Sequence, residues 1–209
     1  MIKLFDYWRS SASYRVRIAL GLAGLEWQNI PVDLVKGAQR STEHLCRNPQ
    51  GLVPVLEIDE ISLIQSLAII EYLDETRGLG FLPKDPIGRA RVRSLSYAIA
   101  MEIHPVCNLK VAKFVSENSG GNLSVMDWMK EFIAPGLAAY ETMLGDDMYC
   151  YGDQVTLADI CLVPQIYNAN RWEIDLSSMP KINRINTSLL ELDAFAKAVP
   201  IAPKIDASS

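Results

Sequence analysis

Five residues near the start, Ile2-Lys3-Leu4-Phe5-Asp6, read as a β-strand that runs through a short polar loop into a helix. Residues 9–20 are Arg-Ser-Ser-Ala-Ser-Tyr-Arg-Val-Arg-Ile-Ala-Leu, and Val16, Leu20 and Ala23 fall on one face of that helix. Trp27-Gln28-Asn29-Ile30-Pro31-Val32 is a second strand. Two strands joined by a crossover helix, here spanning roughly 11–24, imply a parallel pair. Val55-Leu56-Glu57-Ile58 and Ser62-Leu63-Ile64 are strands joined by the turn-like pair Asp59-Glu60, which implies an antiparallel pair. A short helical or irregular piece over roughly 40–47 precedes them, and a helix over roughly 66–77 follows. The order βαβ, α, ββα predicts a small mixed sheet with helices on its faces.

Gly78-Leu79-Gly80-Phe81-Leu82-Pro83-Lys84-Asp85-Pro86 is dense in breakers and reads as an interdomain linker. No strand pattern follows it. A long helical stretch over roughly 87–116 is interrupted at Pro105, which should kink or reset it. Another covers roughly 123–144 with Pro135 inside, a third begins at Thr156, and a fourth covers roughly 180–191. The expected organisation is an α/β domain over 1–82 and an all-helical domain over 87–209. One local signal is strong: in Val155-Thr156-Leu157-Ala158-Asp159-Ile160, Thr156 is an N-cap with a carboxylate at N3, and Val155 and Ile160 occupy the staple positions.

Length and composition narrow the function. A chain of 209 residues, 49% hydrophobic and 22% charged, is an ordinary globular protein of one large or two small domains. No apolar run approaches the roughly 20 residues of a membrane span, and no secretory leader is expected. A formal charge of −5 argues against nucleic acid as the main partner. Cys46, Cys107, Cys150 and Cys161 are far apart with no C-x-x-C, so neither a zinc site nor a redox dithiol is signalled.

Three stretches could carry chemistry. Ser10, Ser11 and Ser13 cluster where a helix N-terminus points unpaired N–H groups outward, a setting that favours an anion. If that anion is a thiolate, a hydroxyl and the helix dipole together lower its pKa; the alternative is that the serines only cap the helix. In Asn48-Pro49-Gln50-Gly51-Leu52-Val53-Pro54-Val55-Leu56, a proline enters a strand and is a candidate cis bond, although X-Pro statistics alone favour trans. A cis bond would leave the Val53 N–H and C=O free for an extended peptide. Gln65 and Ser66 open a helix, where side chains and backbone N–H groups can hold a carboxylate, or Ser66 is an N-cap only.

These motifs resemble one family, the zeta-class glutathione transferases, which includes maleylacetoacetate isomerases and glutathione-dependent maleylpyruvate isomerases. The resemblance covers essentially the whole chain. It rests on the three stretches above together with Ile103-His104-Pro105-x-x-Asn108 and Tyr151-Gly152-Asp153-x-x-Thr156-Leu157-Ala158-Asp159, which runs on to Leu162-Val163-Pro164-Gln165. It implies a thioredoxin-like domain followed by an all-helical domain, with glutathione bound in a cleft between them. It further implies a cytoplasmic homodimer that serves tyrosine and phenylalanine catabolism.

The resemblance also assigns residues. The γ-glutamyl carboxylate would sit on Gln65 and Ser66, and the cysteinyl backbone would pair with Val53 before a cis Pro54. The glycyl carboxylate would lie near Gln39, with His104 and Asn108 contributing from the helical domain. The sulfur would face Ser10 and Ser11. Arg171 would hold the carboxylate of a dicarboxylic or keto-acid substrate, with Arg9 a second cation. Ala12 stands where the family commonly has cysteine, which weakens any case for chemistry by a protein thiol.

The implied reaction is cis–trans isomerisation of a conjugated enedioyl acid by thiolate addition, bond rotation and expulsion of glutathione. Asn108-Leu109-Lys110 carries one basic residue where maleylpyruvate isomerases tend to carry two, so the expectation tilts to maleylacetoacetate. The rivals are a transferase that conjugates α-halo acids and a non-catalytic binding protein of the same fold.

Overall fold

A computed structural model describes residues 1–202, which form two compact units. The first runs from Met1 to Leu79 and takes in the described residues from Leu192 onward; the second is Gly80–Glu191.

The first unit holds one sheet in the order β2-β1-β3-β4. Its strands are β1 (Lys3–Asp6), β2 (Gln28–Pro31), β3 (Val55–Ile58) and β4 (Ile61–Ile64). β1 pairs in parallel with β2 and antiparallel with β3, and β3 pairs antiparallel with β4. Asp59 and Glu60 join β3 to β4 with φ of 49° and 63°, as a two-residue hairpin turn of matching twist requires. Phe5, Val32 and Val55 form a core cluster on one face of the sheet, with Ile30, Leu34 and Ile64 packed against it. By alternation, Leu4 and Leu56, each fully buried, point to the opposite face.

The helices of this unit are α1 (Ser11–Leu22), α2 (Thr42–Arg47), α3 (Ser66–Arg77) and α10 (Asp193–Ala198). α1 shows more than the single apolar face its periodicity predicts: Ser13 through Leu20 are all buried, because α3 and α10 both pack on it. α10 corrects the expected boundary. A Cβ on Gly21 of α1 would lie 3.2 Å from the Ala194 Cβ, and Arg17 of α1 donates to the Ala198 carbonyl at 3.1 Å. The expected second domain of 87–209 therefore loses its C-terminal stretch to the first unit; residues 203–209 lie outside the described residues.

The second unit holds α4 (Pro86–Tyr97), α5 (His104–Val106), α6 (Leu109–Asn118), α7 (Val125–Met143), α8 (Leu157–Arg171) and α9 (Pro180–Leu190), with no strand among its described residues. The reset expected at Pro105 takes the form of a π-helical segment, Ala98–Ile103, between α4 and α5. A proline has no N–H for the helical ladder, and a wider turn before it takes up the mismatch. Pro135 and Pro164 lie within α7 and α8, and both helices continue through them. The Thr156–Asp159 capping box is present: the carboxylate accepts from Thr156 N at 2.7 Å and Thr156 Oγ1 at 2.8 Å. Its second oxygen accepts from Cys150 N at 2.8 Å, which ties the preceding loop to the start of α8.

Candidate active site

The sheet topology brings four separate chain segments to one end. β1 ends at Asp6, which registers with Pro31 at the end of the parallel β2. Because β3 is antiparallel, its first residue Val55 pairs with Phe5 near the end of β1, and Val55 also pairs with Ile64, the last residue of β4. The loop that carries Ser10 and Ser11, the segment after β2 that carries Gln39, the Val53-Pro54 approach to β3 and the Gln65-Ser66 exit from β4 therefore lie at the same end of the strands. Open sheets with helices on them present ligand-binding loops in this manner.

At the first loop, Ser10 is the N-cap of α1. Its Oγ accepts from Ser13 N at 3.2 Å, and Tyr7 O accepts from Ser10 N at 2.8 Å. The Ser10 oxygen is thus engaged and its hydroxyl proton is left to donate outward. Ser11 begins the helix, and its hydroxyl takes no partner among the described residues. The Arg9 guanidinium lies 5.1 Å from the centroid of the Trp8 ring.

The second segment carries a cis Val53-Pro54 bond. The Val53 N–H and C=O have no backbone partner among the described residues. The preceding Leu52 carbonyl accepts from His44 Nε2 and from Asn48 Nδ2, each at 2.9 Å. Gln39 sits in a single 3₁₀ turn, Ala38–Arg40, and buries its Oε1 without a partner among the described residues. Its backbone carbonyl lies against Gly51, where a Cβ would come within 3.2 Å. Gly51 has φ of +63°, so a side chain there would be both crowded and strained.

The third segment is the most unusual backbone in the unit. Gln65 has φ of +69° and ψ of 114°, and it opens α3 with no side-chain cap. The first N–H groups of α3 are therefore open to an incoming anion. Gln65 Nε2 donates to Gln50 Oε1 at 2.7 Å. Ser66, only 6% exposed, accepts on its Oγ from Arg15 Nη1 at 3.3 Å. With a lone pair taken from behind, the Ser66 hydroxyl proton is available to a ligand in front.

His104, Asn108 and Arg171 belong to the second unit. His104 begins α5, and Asn108 is the N-cap of α6, accepting from Lys110 N at 3.0 Å. Arg171 closes α8, its guanidinium 4.5 Å from the Trp172 ring centroid.

Arg15, Arg17, His44 and Gln50 are not among the expected site residues. Each had a signal. Arg15 and Arg17 are charged residues inside an otherwise apolar helical run, which calls for buried partners. His44 and Asn48 are four apart, one helical turn, so they can reach the same carbonyl.

Comparison with known proteins identifies the family. Residues 1–75 match the family described as glutathione S-transferase, N-terminal domain. The maleylacetoacetate isomerase of Rhizobium meliloti (strain 1021) is 57% identical over 202 residues, covering 94% of this chain and 95% of that protein. A holo structure of a maleylpyruvate isomerase, described as a bacterial zeta-class glutathione transferase, superposes with a TM-score of 0.92 at 38% identity over 98% of this chain and 100% of the other. A maleylacetoacetate isomerase from Anaeromyxobacter dehalogenans 2CP-1, with bound dicarboxyethyl glutathione and citrate, gives 0.85 at 39% identity over 96% and 94%. These likenesses place the fold among the glutathione transferases. The chain belongs to their zeta class, the family of the maleylacetoacetate isomerases.

Proposed function

We propose that this protein is a glutathione-dependent cis–trans isomerase that converts maleylacetoacetate to fumarylacetoacetate, acting as a cytoplasmic homodimer in tyrosine and phenylalanine catabolism. The observation that carries the reading is the convergence of Ser10-Ser11, Val53 and Gln65-Ser66 at one end of the sheet, each with polar groups left open for a ligand. That set fits the parts of glutathione. A γ-glutamyl carboxylate suits the uncapped start of α3 and the Ser66 hydroxyl, and a peptide backbone suits the free N–H and C=O of Val53. Gln39, His104 and Asn108 complete the assignment to glutathione. When bound, glutathione supplies a thiol nucleophile that adds reversibly to the double bond and lets it rotate.

The protein's own residues make that thiol ionise and hold the acid substrate. The Ser10 hydroxyl, fixed by its cap bond, donates to the sulfur, with Ser11 beside it, and the α1 N-terminus adds its partial positive charge. Arg171 grips a substrate carboxylate, and Arg9 faces the charge that develops as the olefin takes up the nucleophile.

The maleylpyruvate isomerase among the similar structures supports a second reading, maleylpyruvate as substrate. Incubation of the purified protein with each acid, with and without glutathione, decides between them. Isomerisation of maleylacetoacetate only when glutathione is present is the expected result. Turnover of neither acid overturns the proposal, and preference for maleylpyruvate transfers it to the second reading.

A further inference from the structure

Arg17 stands behind the Ser10-Ser11 loop, and its guanidinium is divided among three chain segments. Nη1 donates to both carboxylate oxygens of Asp6, at 2.9 and 2.7 Å. Nη2 donates to the Trp8 carbonyl at 3.1 Å, and Nε to the Ala198 carbonyl at 3.1 Å. Asp6 ends β1, Trp8 lies in the loop two residues before Ser10, and Ala198 ends α10. Asp6 is 2% and Arg17 9% exposed, so water does not substitute for these acceptors.

The bond to Trp8 bears on the loop directly. Tyr7 O is taken by Ser10 N and Trp8 O by Arg17, so two successive carbonyls are fixed, one from within the loop and one from α1. The bond to Ala198 makes the same guanidinium depend on α10, a six-residue helix from the far end of the chain. α10 is seated by the close approach of Ala194 to Gly21, four residues along α1 from Arg17. The planar fork of arginine holds its N–H directions fixed relative to one another. A shift of α10 therefore turns the fork, and a turned fork moves Trp8.

We propose that Arg17 is a positioning residue that couples the seat of the C-terminal helix α10 to the Ser10-Ser11 loop, and so sets the acidity of the bound glutathione thiol. It touches neither glutathione nor substrate in this role. The inference rests on the reading that Ser10 and Ser11 face that thiol.

The test is the thiolate ultraviolet absorbance of bound glutathione against pH, in the parent protein, in Arg17→Lys and in Gly21→Leu. Arg17→Lys keeps a charge beside Asp6 and loses the fork. Gly21→Leu keeps Arg17 and pushes on Ala194. In the parent the thiol should titrate below about 8.5, the value of a free thiol. Both variants should shift the titration upward by about half to one unit, while affinity for S-methylglutathione, which has no thiol, stays within about threefold. A residue that only supported the fold would lower the unfolding midpoint and leave the titration in place. Folded variants that titrate with the parent overturn the proposal.

If Arg17→Lys does not accumulate as folded protein, Gly21→Leu carries the same test. Hydrogen exchange in the unaltered protein gives a further one. The Ser10 amide and the amides of Phe195 and Ala196 should share one opening free energy, and a Ser10 amide that opens independently of α10 overturns the coupling. A parent whose bound thiol titrates at the ordinary value is a different result: it removes the reading of Ser10 and Ser11 and the inference with it.

Discussion

Gln65 stands where β4 leaves the sheet for α3. Gln65 has φ of +69°, where an L side chain is strained by about 1 to 3 kcal/mol, and its amide is held by Gln50 rather than by the helix it opens. Gln65→Ala keeps the strain and removes the amide, and Gln65→Gly removes both. The glycine variant should therefore be the more stable of the two by about 1 kcal/mol in urea unfolding, and both should bind glutathione roughly tenfold more weakly than the parent. The opposite order of stability would show that the Gln65 backbone is relaxed. Ser10 and Ser11 differ in a comparable way. The cap bond from Ser13 fixes the Ser10 oxygen, whereas the Ser11 hydroxyl has no partner among the described residues. Ser10→Ala should raise the pKa of the bound thiol by about one unit, more than Ser11→Ala does. It should also cost about 1 kcal/mol of stability through the lost cap. If Ser11→Ala moves the thiolate titration further, the donor is Ser11.

At the scale of elements, the capping box of α8 is the clearest case of a sequence pattern that became structure. Thr156 and Asp159 are 3% and 0% exposed, so their mutual bonds are shielded from water. Thr156→Val keeps the shape and loses the hydroxyl, and should cost about 1 to 2 kcal/mol in urea unfolding. Burial raises the Asp159 carboxyl above its ordinary 3.8, against the lowering effect of its bonds from Cys150 and Thr156. A folded pKa above the unfolded one gives stability that is full below the unfolded value and is lost as pH rises through the folded value. The stability difference between the parent and Asp159→Asn should accordingly fall as pH rises from about 4. The box, the Asp59-Glu60 turn and the βαβ and ββα order were legible because each is local chemistry at fixed spacing. α10 was not: Asp193–Ala198 is short, and its place depends on Arg17 and Gly21, more than 170 residues away. Nor was the π segment, since Pro105 announces a break without saying which preceding turn absorbs it. At the candidate site the serines, Val53 and Gln65-Ser66 were legible as polar loop residues at element ends. Arg15 and His44, buried behind them, stood out in their helical runs, but their roles were hidden because their partners lie on other elements or across a loop.

For the whole molecule, charge sets a constraint that no single element shows. The chain carries a formal charge of −5, while the proposed substrate and glutathione are both anions. Long-range attraction therefore cannot gather them, and binding must rest on local cations and helix N-termini. Assembly is tested by mass: sedimentation at micromolar concentration should give twice the chain's 23.3 kDa, and a value at 23.3 kDa would remove the homodimer. Among the cations, Arg171 is the one the family resemblance assigns to substrate, and its position at the end of α8 beside Trp172 keeps its planar face against a ring. A guanidinium grips a carboxylate through two parallel N–H bonds, whereas lysine offers a point charge. Arg171→Lys preserves the favourable charge at the helix C-terminus, so fold stability should change by less than about 0.5 kcal/mol. It should nevertheless lower kcat/KM for isomerisation by roughly ten- to a hundredfold, and Arg171→Ala by at least as much, with glutathione affinity unchanged in both. Steady-state kinetics with calorimetric titration of glutathione separates the two effects. Variants that isomerise like the parent would move the substrate's anchor to Arg9 or His104. Equal loss of glutathione binding would make Arg171 part of the glutathione site instead.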